Sequence, residues 1–100
     1  MAIKYHVRML SRANKDITII EEALKEYPQK AGRLFAEIDE KLLLLEDMPY
    51  MWPVYQPRPE YRIMVLEDHV LFYVVDESQH IVKVYRIIYG RRYIPDLLND

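Results

Sequence analysis

The stretch that decides the fold is residues 61–89, YRIMVLEDHVLFYVVDESQHIVKVYRIIY. It is rich in β-branched and aromatic residues, and two short polar turns, residues 67–68 and 76–79, separate three runs of strand length, residues 61–66, 70–75 and 81–89. The middle run, residues 70–75, is apolar throughout, which is typical of a central strand covered on both faces. The sequence therefore predicts three antiparallel strands joined by short turns.

Upstream of these strands, the apolar pattern is first that of a strand and then that of helices. Residues 3–10 alternate between apolar and polar side chains, which predicts a half-buried strand. Ser11 stands where an N-cap belongs, and apolar residues then recur every three or four positions up to Tyr27. Pro28 suits the first turn of a second helix with a similar apolar stripe. We expect an α+β fold in the order strand-helix-helix-strand-strand-strand, with the helical hairpin packed on an antiparallel sheet.

A proline-rich segment, MPYMWPVYQPRP at residues 48–59, separates the second helix from the three strands. Its prolines exclude a helix or an interior strand, so we interpret it as an ordered loop. Its aromatic residues include Trp52 and Tyr55, which are candidates for partner binding because Trp and Tyr are favoured at interfaces. The simpler interpretation is that the loop aromatics pack over the end of the helical hairpin.

The composition indicates one domain over residues 1–100, since 51% of the chain is hydrophobic and only two residues are glycine. The absence of cysteine excludes disulfides and thiolate sites and is typical of proteins in a reducing cytoplasm. No apolar run has the length of a signal peptide or a membrane span. A net charge of −2 argues against binding nucleic acid chiefly through phosphates. We therefore expect a cytoplasmic protein that does not associate with a membrane.

Taken together, these elements resemble the ParE/RelE superfamily of toxins from type II toxin-antitoxin systems. The similarity is carried by Ser11-x-Ala13-x-x-Asp16 at the start of the first helix, by the Met-Pro at 48–49, and by VYRIIYGRRYIPDLL at 84–98. It covers nearly the whole chain. The resemblance implies a bacterial toxin of a plasmid-stabilisation system, neutralised by a cognate antitoxin. It is compatible with a dimer or with a heterotetramer that includes the antitoxin.

The superfamily has two activities on one fold, since ParE-like members bind and inhibit DNA gyrase and RelE-like members cleave mRNA on the ribosome. The RelE-like pattern has an arginine where this chain has Val70, and an aromatic residue or histidine in the tail, which here reads LLND at 97–100. The ParE-like pattern has an arginine at the position of Arg62. Tyr89 replaces a histidine common in both groups, and a phenol with a pKa near 10 is a poor general base at neutral pH. The resemblance is therefore closer to ParE, and a non-enzymatic action is favoured over an mRNA endoribonuclease.

The two arginines inside the strands are the first candidate functional residues. With short turns, the expected register pairs Arg62 with Tyr73 and Val82, and Arg86 with His69. Both arginines then share a face of the sheet but lie on the order of 16 Å apart, too far to hold one phosphate.

The same register predicts a basic corner formed by Arg86, His69, Arg91 and Arg92. This corner suits an acidic partner or the target enzyme; the alternative is that Glu67 or Asp68 neutralises Arg86. For a gyrase inhibitor, the expected target-binding residues are Arg62, Arg86, Tyr89, Arg91 and Arg92. For a ribonuclease, Arg62, Arg86 and Arg92 would stabilise the phosphate. A third alternative is a module that binds the antitoxin and has lost its toxicity.

The three histidines, His6, His69 and His80, come from separate segments and lack the spacing of metal ligands. The sequence has no glycine-rich phosphate loop and no nucleophile motif. We expect neither a metal nor a cofactor.

Overall fold

The computed structural model describes residues 3–90 and Leu98. The elements follow the predicted order, strand-helix-helix-strand-strand-strand, which confirms the expected α+β fold. Their bounds are β1 His6–Met9, α1 Ser11–Ala23, α2 Pro28–Asp47, β2 Arg62–Val65, β3 His69–Asp76 and β4 Ile81–Tyr89.

The sheet has the strand order β1-β4-β3-β2. The last three strands form the predicted antiparallel meander, whereas β1 joins its far edge parallel to β4, which makes the sheet mixed. β1 is short and pairs with β4 only from Ile81 to Val84. The second half of that β4 edge therefore has no strand beside it, and α1 packs there instead.

A register shift interrupts the pairing of β3 with β4 between Phe72 and Tyr73. Phe72 pairs with Arg86 and Tyr73 pairs with Val84, so Tyr85 is the extra residue of a β-bulge. Side chains alternate between the two faces along a strand. One extra residue in β4 therefore shifts the pairing with β3 for every residue beyond the bulge.

The bulge corrects the expected register on the β4 side. Arg62 pairs with Tyr73, as predicted. However, Tyr73 pairs with Val84 and not with Val82, and Arg86 pairs with Phe72 and not with His69. The expectation that the two arginines share a face, which was built from a regular strand pairing, is therefore wrong.

Two groups of buried side chains cover the two faces of the sheet. The main core lies between the helices and the sheet, and the outer cluster lies on the opposite face. The main core includes Ala13, Ile20, Leu34, Ile38, Leu45, Met64, Leu66, Leu71, Tyr73, Val82, Val84 and Ile87. The outer cluster includes Tyr61, Val70, Phe72, Ile88 and Leu98, with Tyr55, Ile63, Val74 and Tyr85 packed against it.

The helix starts are only partly as predicted. Pro28 is in the first turn of α2, where its missing N–H leaves no hydrogen bond unmade. Ser11, in contrast, is already helical, and the N-cap position is held by Leu10 without a side-chain hydrogen bond.

The proline-rich loop runs beside β2 and divides its aromatic residues between the two faces. Trp52 packs against the main core, whereas Tyr55 packs edge-on against Phe72 in the outer cluster. The backbone N–H groups of Tyr55 and Ile63 donate hydrogen bonds that tie loop and strand together. The expectation that the loop aromatics pack over the end of the hairpin thus fits Trp52 but not Tyr55.

Candidate functional site

Arg86 forms a buried ion pair with Asp16 of α1. The Nε of Arg86 donates to one oxygen of Asp16 at 2.8 Å and Nη2 donates to the other at 3.1 Å. The side chains are only 11% and 7% exposed, respectively. A bidentate geometry of this kind is the strongest form of arginine-carboxylate contact. Asp16 therefore neutralises Arg86, a role that the alternative interpretation of the sequence gave to Glu67 or Asp68.

The position of Asp16 follows from the short β1. Beyond Val84 the outward N–H groups of β4 have no strand partner, and a buried N–H without an acceptor destabilises the fold. The carboxylate of Asp16 accepts the N–H of Ile87 at 2.9 Å. One side chain thus accepts a backbone N–H of the sheet edge and also holds the arginine.

The role of Asp16 was not recognised in the sequence, although a signal for it exists. Ala13, Ile17 and Ile20 form the apolar stripe of α1, and Asp16 lies on the same side of the helix. An acidic residue within an apolar stripe is buried on folding and needs a cation. Arg86, the one arginine in the apolar row of the last strand, was the matching candidate.

Arg62 is held by the proline-rich loop rather than by a helix. Its Nη1 donates to the carbonyl oxygen of Trp52 at 2.7 Å and to that of Tyr50 at 3.3 Å. The guanidinium also lies 4.9 Å from the centre of the Tyr50 ring, a cation-π contact. These contacts anchor the loop against the edge strand.

Arg62 and Arg86 do not form a joint site. Arg62 pairs in register with Tyr73, which belongs to the main core, whereas Arg86 pairs with Phe72, which belongs to the outer cluster. Their strand positions therefore alternate to opposite faces, and each guanidinium has its own acceptors. This geometry does not place both cations on one phosphate.

His69 and Tyr89 face each other across β3 and β4 at the end of the sheet. Their rings meet edge to face with centres 5.2 Å apart. His69 is 5% exposed, and burial lowers the pKa of its imidazole, so it is neutral at physiological pH. Tyr89 is 62% exposed. The described part of the expected basic corner is thus a neutral histidine and a paired arginine, and Arg91 and Arg92 lie outside the described residues.

A groove of about 270 Å³ opens beside these two rings, between α1, the start of α2 and the end of the sheet. We call it the His69 groove. It is lined by Ile19, Ile20, Leu24, Lys30, His69 and Tyr89. A smaller cavity of about 110 Å³ shares Ile19, Ile20 and Tyr89 and extends toward Asp16 and Arg86. The candidate site is therefore a mostly apolar channel along the part of β4 that β1 leaves uncovered.

Metal binding has no support in the part of the chain that the structure describes. Residues 3–90 and Leu98 contain no cluster of three or more His, Asp or Glu side chains able to hold an ion.

Neither α1 nor α2 has the length and apolar character needed to cross a membrane.

The sequence matches the model of one protein family, the ParE toxin of type II toxin-antitoxin systems, over residues 7–93. No curated protein matches the chain.

Two solved toxin-antitoxin complexes contain chains of similar fold. A chain from the chromosomal ParDE system of P. aeruginosa has a TM-score of 0.73 and 17% identity, covering 90% of this chain and 100% of that one. A chain from the RelBE2 complex of Mycobacterium tuberculosis has a TM-score of 0.64 and 19% identity, covering 87% of this chain and 99% of that one. These similarities concern the fold, whereas the family match spans most of the sequence. The chain belongs to the family of ParE toxins of type II toxin-antitoxin systems.

Proposed function

We propose that this toxin acts by binding DNA gyrase, without cleaving RNA, and that a cognate antitoxin neutralises it. The observation that carries the proposal is the bidentate pairing of Arg86 with Asp16. A phosphate-binding arginine must present its donors to the substrate, and here the guanidinium is engaged by a buried carboxylate.

The surroundings of Arg86 also support binding over catalysis. Cleavage by a 2′-hydroxyl needs a general base near neutral pKa, a general acid and cations at the phosphate. Within residues 3–90, the imidazole and phenol at the end of β4 belong to His69, which is buried, and to Tyr89, whose ring packs against it. Arg62 is on the other face of the sheet. This set of groups is a weak basis for the RelE-like alternative.

Tyr89 is the described residue best placed for target contact. It is a large, exposed aromatic at the end of the last strand, and aromatic residues of this kind contribute strongly to protein interfaces. Gly90 follows with a φ of 73°, a left-handed conformation that glycine adopts without strain, and it directly precedes Arg91 and Arg92 in the sequence. We assign Tyr89, Arg91 and Arg92 to the target-binding surface, and we place Arg62 and Arg86 in positioning roles.

The test is the supercoiling activity of purified gyrase in the presence of the purified toxin. We expect inhibition by the wild type and at least about tenfold weaker inhibition by Tyr89→Ala, the loss of about 1.4 kcal/mol of binding. Tyr27→Ala is the matched control, because Tyr27 is also 62% exposed. Unchanged supercoiling combined with translation arrest and cut mRNA would replace the proposal with the RelE-like activity. Normal growth of cells that express the folded toxin alone would leave an antitoxin-binding module.

A further inference from the structure

The free side of β1 is an open edge of the sheet. β1 lies at the end of the strand order and pairs with β4 alone. The N–H of His6 donates to the carbonyl oxygen of His80, on the β4 side. Because successive N–H groups of a strand point in opposite directions, those of Val7 and Met9 point away from β4. Among the described residues, no backbone carbonyl accepts them. We call this side of residues 6–9 the β1 edge.

The side chains of β1 differ in character between the two faces of the sheet. Val7 and Met9 pack against the main core, whereas His6 and Arg8 are exposed. Since side chains alternate along a strand, His6 and Arg8 lie on the outer face. A strand added beside β1 would therefore meet apolar side chains on one face and polar or cationic ones on the other.

The outer face next to the β1 edge has an unbalanced positive charge. Arg8 stands opposite Lys83 in the register, and both side chains lie on the outer face, because Val82 and Val84 belong to the main core. Like charges on directly opposed residues destabilise a sheet. Asp76 pairs with Lys83 at 3.4 Å, but no carboxylate among the described residues forms an ion pair with Arg8. Arg8 thus lies beside free backbone donors and lacks a described counterion.

We propose that the β1 edge binds an extended acidic segment of a partner protein, which adds antiparallel to β1 as a fifth strand of the four-stranded sheet. The carbonyl oxygens of the segment accept the N–H groups of Val7 and Met9. Its side chains alternate, with apolar residues opposite Val7 and Met9 and carboxylates opposite Arg8. Strand addition obtains affinity from main-chain hydrogen bonds and specificity from alternate side chains.

This inference goes beyond the proposed function and concerns a different part of the molecule. β1 pairs with the first half of β4, whereas Tyr89 and the His69 groove lie at the other end of that strand. A strand bound at the β1 edge leaves Tyr89 uncovered. The toxin can therefore hold this partner and its target together.

The charge of the edge favours an acidic segment over a second copy of this chain. In an antiparallel pairing of two copies centred on Val7, Arg8 would face His6, and in one centred on Arg8 two guanidinium groups would meet. Neither arrangement supplies an anion, and the second is repulsive. A nucleic-acid backbone would supply anions to Arg8 and Lys83, but it has no row of carbonyl groups to pair with a strand edge.

The first experiment titrates two synthetic peptides, acetyl-TEVEVET-amide and acetyl-TKVKVKT-amide, into the purified toxin and follows them by NMR. We expect the acidic peptide to bind at least about tenfold more tightly than the basic one. Hydrogen exchange at the amides of Val7 and Met9 should slow at least about tenfold in the complex, because both become hydrogen-bonded.

A charge reversal on the toxin provides the matched variants. Arg8→Glu should reverse the preference between the two peptides. The variant should fold, because position 8 is exposed and a glutamate there faces Lys83. Arg33→Glu makes the same change at an exposed position of α2 and should retain the wild-type preference.

The second experiment separates strand addition from plain charge attraction. Methylation of a backbone nitrogen removes its N–H without changing the charge of the peptide. In the proposed antiparallel strand the valine N–H groups point toward β1 and those of the glutamates point away. We expect methylation of both valine nitrogens to abolish binding and methylation of the glutamate nitrogens to leave it nearly unchanged.

Several results would overturn the proposal. Equal affinity for the acidic and basic peptides removes the role of Arg8. Binding that tolerates methylated valines and leaves the Val7 and Met9 amides unprotected is a surface charge contact and not strand addition. A toxin dimer that Arg8→Glu dissociates assigns the edge to a second copy, and an oligonucleotide that displaces the peptide assigns it to nucleic acid. The supercoiling test of the proposed function uses Tyr89 and is independent of all these outcomes.

Discussion

The carboxylate of Asp16 joins α1 to β4 through a side-chain partner and a backbone partner. Its carboxylate accepts from the guanidinium of Arg86 and from the backbone N–H of Ile87, and it is almost completely buried. Removing one partner of a buried ion pair is strongly destabilising, because the remaining charge has neither water nor a counterion.

We therefore expect Asp16→Ala to lower the free energy of unfolding by about 3–5 kcal/mol, measured by urea denaturation. The double variant Asp16→Ala/Arg86→Met, which removes both charges, should be more stable than the sum of the single effects predicts. If Asp16→Ala unfolds at the urea concentration of the wild type, the ion pair does not have the structural role given to it here.

At the level of single residues, the sequence identified Arg86 as a candidate functional residue but did not identify Asp16 as its partner. Arg86 lies between Val84 and Ile88 in the last strand, and a charge in an apolar row needs a counterion or a function. The partner lies 70 positions earlier in the chain, on a helix whose contact with β4 depends on the length of β1. Periodicity within one element carries no information about such a contact.

Among the elements, β4 shows which features sequence patterns predict well. Its bounds, 81–89, were predicted correctly, because β-branched and aromatic residues fill the run and a polar turn precedes it. Its register was not, because the extra residue Tyr85 has no signature in the apolar pattern. The parallel pairing of β1 with β4 was also missed, since it joins segments from opposite ends of the chain.

Alanine substitutions at the two glycines are expected to change the stability of the fold in opposite directions. An added Cβ would meet nothing within 4 Å at either position. Gly32 lies in α2, where alanine is the better helix former, so Gly32→Ala should stabilise by about 0.5–1 kcal/mol. Gly90 has a φ of 73°, so Gly90→Ala should destabilise by about 1–2 kcal/mol through backbone strain alone.

Thermal denaturation of the two variants side by side measures this difference. Because both sites are sterically open, a loss of stability in both would show that side-chain crowding matters at these positions. A loss in neither would show that the turn at residue 90 does not require the left-handed conformation.

At the scale of the whole molecule, one exposed carboxylate joins three distant segments. Glu77, in the β3–β4 turn, accepts hydrogen bonds from the phenol of Tyr5, ahead of β1, and from that of Tyr50, in the proline-rich loop. These bonds lower the pKa of Glu77, and the bond to Glu77 raises the pKa of Tyr5 to about 12.

The pKa shifts predict how stability depends on pH. The contribution of Glu77 to the stability of the fold is fully present at pH values above 4.5, its ordinary pKa. It is lost as the pH falls through the lowered pKa of the folded state. The contribution of Tyr5 is present below pH 10 and is lost as the pH rises toward about 12. Glu77→Gln should therefore flatten the pH dependence of the melting temperature below about pH 5, where this contribution is otherwise lost.

An ultraviolet titration of the phenols provides an independent measurement. In Glu77→Gln, Tyr5 should ionise nearer the ordinary pKa of 10, because its hydrogen-bond acceptor is no longer charged. Glu40→Gln, at an exposed position of α2, is the control and should leave the tyrosine titration unchanged. Identical titration curves for the wild type and Glu77→Gln would contradict the contact.

The pairing of the first strand with the last has a consequence for synthesis on the ribosome. β1 obtains its strand partner only when Ile81–Val84 of β4 have left the exit tunnel, and Asp16 obtains Arg86 later still. Domains fold as units during translation, and contacts between distant segments form last. The nascent chain therefore cannot complete its sheet until residues 81–86 have been translated and have left the tunnel, so a chain that terminates before this strand lacks the partner of β1 and of Asp16.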